Sequence, residues 1–366
     1  MRLFTFILIL LLCSTYSFGQ VQLFSLNNES IIIATKDKEN TIGLNLNRKV
    51  YRDIISKKHQ NILIKLPFFH NSVNLTLEKF QPYNHEINIV SKSRSGDKTL
   101  DILPTLLSYK LYLNNEVIGI MNFVNNNINA TFKINNKQYE IGLYKKEYVL
   151  FETSNSINKS NFSCAVSEVE NTHTFSPQMN QLPSTPVCVK LAVEIDYFTR
   201  QTFTSDQQAT DWALAIIAGV SQIYETETNS AIQVVYINIW NTNDPFSSWV
   251  AQSSSMLSEL KTYWTTNNGS ISRDLVHLMT KRTNTGTGGI AYVDALCSNS
   301  WGYGFSSYLD NDTTYNFPNP SYTWNLFCIA HEIGHNYGSK HTHWCGWAAD
   351  PTTTPPFPGG VIDNCV

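Results

Sequence analysis

The chain has 366 residues, of which 42% are hydrophobic and 15% are charged, and its formal net charge is −3. This length can hold two ordinary domains, and the hydrophobic share suits packed cores. The nearly balanced charge gives no basic footprint for nucleic acid or for an anionic membrane surface, so we expect neither as a partner.

The N-terminus has the features of a secretory signal peptide, in the expected order. Arg2 supplies a positive start, residues 3–12 are an almost unbroken apolar run, and the small residues Ser17 and Gly19 precede Gln20. The run of about ten apolar residues is too short for a membrane anchor, which needs roughly 20. We therefore predict a signal peptide over residues 1–19, and a secreted, extracellular protein with no stable membrane anchor in this chain.

The cysteine count agrees with export. Seven cysteines occur in the chain, and loss of Cys13 with the signal peptide leaves six, an even set typical of disulfides in an oxidising compartment. We expect Cys345 and Cys365 to pair across a loop rich in proline and threonine, and Cys328 to be structural and paired. The others are Cys164, Cys188 and Cys297. Their connectivity stays open.

The mature part divides into three regions. Residues 20–152 look β-rich: segments 130–134 and 138–141 alternate with period two around the Asn135-Asn136-Lys137 turn, which predicts a hairpin. Residues 153–186 shift to Ser, Asn, Thr and Pro, a composition typical of a linker.

Residues 187–366 alternate between strand and helix patterns. This predicts an α/β (α+β) domain with a twisted mixed sheet. We expect strands at 187–195, 232–240 and 274–279, a short edge strand at 288–292, and helices at 206–225 and 247–264. A further helix begins near Trp324 and is apolar on nearly all sides, so we expect it to be buried.

Metal-ligand spacing occurs on this last helix. His331 and His335 are four residues apart, so both imidazoles project from one helix face and can reach one ion. Gly338 tolerates the left-handed conformation that ends a helix. The chain can then turn so that His341 becomes a third ligand.

Three histidines and one carboxylate define a catalytic metal site. Three neutral nitrogens at about 2.0–2.1 Å leave the fourth position of a tetrahedral Zn²⁺ ion to water, whose pKa falls to about 7. Glu332 adjoins a ligand and can act as the catalytic base. The alternative, histidines satisfied in a core, does not account for this spacing. His343 is a weaker candidate ligand.

The segment 331–341 matches the zinc signature of the metzincin metalloproteases, and its surroundings resemble the reprolysin (adamalysin-like) branch. Segment 274–279 resembles that branch's strand before the cleft. Gly289, Ile290 and Ala291 resemble its upper-rim edge strand, where substrate binds as an added strand. The resemblance covers roughly residues 187–365. It implies a metzincin-like catalytic domain with an active-site helix, preceded over residues 20–152 by a β-rich propeptide.

Two departures from the family pattern stand out. Thr342 follows His341 where animal reprolysins have aspartate, and the run 341–345 looks more like secreted bacterial relatives. Metzincins also place a methionine turn after the third histidine, whereas no methionine follows Met279. We therefore expect the catalytic domain to be truncated within its lower subdomain.

Three further residues are candidates for secondary roles. Cys164 lies in the linker, where its thiolate could take the open zinc position as a latency switch. A disulfide or a plain thiol remains open for it, since segment 161–166 lacks the full switch motif of animal relatives. Glu194 and Asp196 resemble positions near a calcium site, which suggests Ca²⁺, although their alternation also fits an exposed strand face.

The leading hypothesis is a secreted zinc endopeptidase made as a zymogen, a monomer acting on proteins or peptides. A hydrolase of non-protein amides is a rival among enzymes. A secreted zinc-binding pseudoenzyme or interaction module without turnover is a rival from another class, although such a protein has no need of Glu332.

Overall fold

The computed structural model describes residues 20–29, 40–144, 146–153, 164–165, 185–310 and 321–342, together with the backbone of 347–348 and 359–360. Its strands are β1 (Phe24–Leu26), β2 (Thr41–Leu46), β3 (Asn61–Phe68), β4 (Asn71–Phe80), β5 (Tyr83–Ser93), β6 (Gly96–Thr99), β7 (Leu107–Leu113), β8 (Glu116–Val124), β9 (Asn127–Ile134), β10 (Lys137–Tyr144), β11 (Glu147–Glu152), β12 (Val187–Ile195), β13 (Ser230–Trp240), β14 (Leu275–Met279), β15 (Gly289–Ala291), β16 (Tyr303–Ser306), β17 (Trp347–Ala348) and β18 (Gly359–Gly360). Its helices are α1 (Arg48–Lys57), α2 (Tyr197–Arg200), α3 (Asp206–Thr228), α4 (Ser253–Asn267) and α5 (Ser321–Asn336).

The N-terminal region is built on a nine-stranded sheet in the order β1-β2-β11-β10-β9-β8-β7-β4-β3. Each neighbouring pair is antiparallel. The predicted hairpin is β9–β10, closed by Asn135 and Asn136, whose φ angles of 51° and 62° match the type I′ turn that suits strand twist. The expectation of a β-rich N-terminal region is confirmed.

A seven-stranded mixed sheet follows the order β15-β16-β14-β12-β13-β5-β6. Its central strands are parallel, and β15 pairs antiparallel with β16 at one edge. The opposite edge is the β5–β6 hairpin of the N-terminal region, which is joined to β13 in parallel. The two halves of the chain therefore share a sheet, a connection between distant segments that the sequence pattern does not indicate.

Helices cover both faces of this mixed sheet. One face packs against α3 and α5 in a cluster that includes Leu191, Ile217 and Ile329. The other packs against α4 in a cluster that includes Leu260, Trp264 and Phe305. This layering places α5 beneath the edge strand β15.

Most predicted elements lie where the periodicity places them, but α4 begins at Ser253, six residues later than the predicted start at 247. The cause is local. The Asp244 carboxylate accepts a hydrogen bond from the Phe246 backbone N–H at 2.8 Å, and Ala251 has a φ of 52°, which helical backbone cannot adopt. The backbone therefore stays non-helical from Asp244 to Ala251, and α4 begins only at Ser253.

The four cysteines in the described ranges, Cys164, Cys188, Cys297 and Cys328, form no disulfide with one another. Cys328 is buried within α5 among apolar residues, and its expected pairing stays a prediction. Cys345 and Cys365 lie outside the described residues. Among the helices in the described ranges, none has the length and apolarity needed to cross a bilayer.

Candidate active site

The three predicted metal ligands converge at the C-terminal end of α5. The ring centroids of His331 and His335 lie 4.8 Å apart, and the His341 ring lies 5.4 Å and 4.7 Å from them. The Nε2 atoms of His331 and His335 face each other at 3.1 Å. The four-residue spacing of His331 and His335 therefore places both imidazoles on one face of α5, where they can reach one ion.

The turn after α5 brings His341 back to the helix. Gly338 has a φ of 92°, and its N–H donates to the His335 carbonyl at 2.9 Å. The Ser339 N–H donates to the Gly334 carbonyl, also at 2.9 Å. These bonds satisfy carbonyls at the helix end, and the left-handed residue redirects the chain as glycine permits.

Hydrogen bonding and burial prepare the imidazoles to be ligands. His335 Nδ1 lies 2.8 Å from the Ser339 carbonyl oxygen, which can only accept, so Nδ1 carries the proton and Nε2 presents its lone pair. Burial, with His335 and His341 nearby, lowers the pKa of His331 to about 3. The neutral form required for coordination is therefore favoured.

The donor set fits zinc. One ligand atom from each of Cys164, His331, His335 and His341 lies within 4.8 Å of the others. Among the described residues, these four side chains form a group of His, Cys, Asp or Glu close enough together to hold one metal ion. Imidazole and thiolate ligands with tetrahedral coordination are characteristic of Zn²⁺.

Glu332 lies beside this cluster and is fully buried. Its Oε1 atom has no hydrogen-bond partner among the described residues, and Oε2 lies 3.7 Å from the Cys164 sulfur. Burial raises the pKa of this carboxyl well above its usual range. A buried carboxylate with an unpaired oxygen next to metal ligands is poised to exchange a proton.

The predicted edge strand runs over Glu332. Gly289, Ile290 and Ala291 form β15, in register with Ser306, Phe305 and Gly304 of β16. A Cβ atom at Gly289 would collide with the Glu332 carboxylate, so only glycine fits there. The edge of β15 that faces away from β16 therefore starts beside the Glu332 carboxylate.

Cys164 occupies this same place. It forms an isolated parallel bridge with Gly289, and the Ala165 N–H donates to the Gly289 carbonyl at 3.1 Å. The Cys164 sulfur lies 3.4 Å from His335 Nε2. The structure thus brings the cysteine of the predicted linker into the cluster of predicted metal ligands.

Glu194 and Asp196 are fully buried, so the alternative interpretation, an exposed strand face, is wrong for both. Glu194 accepts hydrogen bonds from Asn238 at 3.0 Å, Trp264 at 2.8 Å and Trp240. Asp196 caps α2 and accepts from Thr280 at 2.6 Å. Their oxygens are engaged by protein donors, and neither residue belongs to the group of potential metal ligands, so the structure gives the calcium expectation no support. His343 lies outside the described residues.

Two residues that support α5 were not predicted. Asn336 donates through Nδ2 to the carbonyls of Tyr292 at 2.8 Å and Tyr303 at 3.1 Å, which fastens the helix end to the edge of the sheet. Glu140 of β10 accepts from the backbone N–H groups of Tyr322 and Thr323 at the start of α5. The sequence offered a signal for Asn336, because this residue adjoins the predicted ligand His335. It offered no signal for Glu140.

One family model matches the part of the chain that contains the three histidines and Glu332. Residues 185–357 match the family model Reprolysin_5, described as Metallo-peptidase family M12. The crystal structure of metalloproteinase-II from Bacteroides fragilis is similar with a TM-score of 0.45 and 10% sequence identity, over 81% of this chain and 86% of that chain. Metallopeptidases of family M12 use zinc and act on proteins. Residues 185–357 are therefore similar to the reprolysin-like metallopeptidases of family M12.

Proposed function

We propose that the chain is the secreted precursor of a zinc-dependent endopeptidase with His331, His335 and His341 as metal ligands and Glu332 as catalytic base. The observation that carries the proposal is the convergence of the three imidazoles on a buried carboxylate at the start of an edge strand. A metal site alone does not require that carboxylate, and a binding groove alone does not require the imidazoles.

The chain's own residues divide the work of peptide hydrolysis. When bound, zinc activates water as a nucleophile and polarises the scissile carbonyl. Glu332 takes a proton from the attacking water and passes it to the leaving amine. The backbone of Gly289 to Ala291 offers the hydrogen bonds of an edge strand, which orient an extended peptide across the site.

The position of Cys164 supports the proposal that the precursor is latent. Its sulfur belongs to one group of potential ligands with the three imidazoles, and these four residues together would hold a zinc ion without an open position for water. The Ala165 N–H at the same time donates to the carbonyl of Gly289, the first residue of the edge strand. We infer that Cys164 blocks both nucleophile and substrate, and that activity requires this segment to leave.

The same closed ligand set favours a second candidate, a zinc-holding module without turnover. Four protein ligands are the arrangement of structural zinc sites. The candidates differ in what happens when the segment around Cys164 is displaced: an enzyme gains turnover, whereas a binding module only loses affinity for its metal.

The test uses the full chain and denatured casein as substrate. We expect no fragments from the untreated precursor, and fragments after limited proteolysis in the predicted linker, residues 153–186. Addition of a zinc chelator should stop this cleavage. Absence of cleavage in the processed, zinc-loaded protein, with casein and with a panel of unrelated proteins, would contradict the assignment as an endopeptidase.

A further inference from the structure

A cationic and aromatic cluster lies beyond the end of the edge strand. The Trp301 side chain is 47% exposed, and its ring meets the ring of Tyr292 edge-on at a centroid distance of 5.0 Å. The ammonium group of Lys261, on α4, lies 3.2 Å from the Trp301 ring centroid and 5.6 Å from that of Tyr292. We call these three residues the Lys261 cluster.

The lysine in this cluster has no acidic partner among the described residues. The ion pairs there engage other basic residues, such as Lys281 with Asp310 at 2.8 Å, and none of them includes Lys261. Partial burial lowers the pKa of Lys261, because the rings displace water from the ammonium group. A carboxylate brought beside it would replace that lost solvation.

The cluster continues the line of the edge strand. Tyr292 is the residue after β15 and lies three residues past Gly289, about 10 Å along an extended chain. Side chains alternate between the faces of a strand, so Tyr292 points to the same side as Ile290. Ile290 belongs to the apolar cluster that packs on α4, and Tyr292 packs against that cluster.

A segment added at this edge places a side chain on the same face. Ala165, whose N–H donates to Gly289, packs against the same apolar cluster as Tyr292. A peptide that extends the antiparallel β15–β16 pair would run opposite to β15. Its residues before the scissile bond then lie toward Tyr292, and every second one faces α4.

We propose that the Lys261 cluster is a substrate subsite that selects an acidic side chain two or three residues before the scissile bond. The inference rests on the proposed endopeptidase function and specifies its substrate class. The aromatic rings confine the aliphatic part of the substrate side chain, and the Lys261 ammonium pairs with its carboxylate. Because the pair is partly exposed, its effect is modest and depends on salt.

The test compares peptides that differ only by Glu or Gln at one position, with full-length protein processed in the linker. We expect kcat/KM for the Glu peptide to exceed that for the Gln peptide about three- to tenfold when the residue is second or third before the bond. The Glu to Gln ratio should fall to about one in Lys261→Gln. It should drop below one in Lys261→Glu, which should instead favour a lysine peptide.

The matched control is Lys190→Gln, which removes the same charge from β12, where Lys190 bonds Ser272. It should keep the parent ratio of Glu to Gln cleavage. A parent ratio of about one at both positions, or the same ratio in Lys261→Gln and parent, would overturn the subsite while leaving the endopeptidase function intact. Failure of every variant to cleave any peptide would instead reject the proposed function itself.

Discussion

The carboxylate of Glu140, in the N-terminal sheet, accepts a hydrogen bond of 2.8 Å from the Thr323 backbone N–H in the first turn of the active-site helix. Its second oxygen accepts from the Tyr322 N–H at 3.3 Å. The unpaired N–H groups at the start of α5 are thus satisfied by a residue about 180 positions earlier in the chain. The helix that carries the proposed zinc ligands His331 and His335 is therefore capped by the region proposed to be the propeptide.

Replacing Glu140 with Ala should destabilise the full chain by about 1–3 kcal/mol, because two buried N–H groups lose their acceptor. Urea unfolding followed by tryptophan fluorescence measures the change. Glu86→Ala is the matched control, since Glu86 is an exposed glutamate of β5 and should shift the midpoint little. Equal midpoints for Glu140→Ala and parent would show that the cap is not stabilising.

Stability should also depend on pH through Glu140. Burial raises its pKa from 4.5 to about 7. Between these values the folded chain binds a proton that the unfolded chain has lost, so the free energy of unfolding falls as pH rises from about 4.5 to about 7. Glu194, with a pKa raised to about 7, acts in the same direction.

A comparison of parent with Glu140→Gln isolates this contribution, since glutamine does not titrate. The parent's free energy of unfolding, relative to that of the variant, should decrease by about 2 kcal/mol across this window. Urea titrations at several pH values give the difference directly. A difference that stays constant would mean that Glu140 titrates normally.

The sequence predicted what depends on near neighbours in the chain. His331 and His335 are joined by one helical turn, and the β9–β10 hairpin by the asparagine pair, so spacing alone identifies both. The pairing of β5 with β13 and the capping of Thr323 by Glu140 join residues far apart in the chain. Such contacts depend on how the two regions pack, which periodicity does not encode.

Gly289→Ala should reduce turnover strongly, because its Cβ atom would meet the Glu332 carboxylate and the β-strand backbone cannot yield without breaking its pairing with Ser306. We expect a loss of about 10²-fold in kcat, with zinc content near that of the parent. Gly142→Ala serves as control, since its Cβ would meet only Glu140 Oε1 at an ordinary 3.6 Å. If Gly289→Ala kept the kcat of the parent, the Glu332 carboxylate would not lie against Gly289 during catalysis, and the prediction would be wrong.

Cys164→Ser should give a precursor that cleaves protein without processing, because a hydroxyl is a much poorer zinc ligand than a thiolate. Thiol-modifying reagents should activate the parent precursor and leave the variant unchanged. Cys188→Ser is the control, since Cys188 is an exposed cysteine of β12 away from the ligand group. Peptide mapping that finds Cys164 in a disulfide would refute the switch, and latency would then rest on occlusion by the N-terminal region.

The central claim is that three histidines hold zinc while Glu332 performs the chemistry. Its most direct test measures bound zinc and peptide hydrolysis together in processed parent, Glu332→Ala and His335→Ala. The account predicts that Glu332→Ala keeps about one zinc per chain and loses at least about 10²–10⁴-fold in kcat, whereas His335→Ala loses the metal as well. Parent-like hydrolysis by Glu332→Ala, or full zinc retention by His335→Ala, would contradict it.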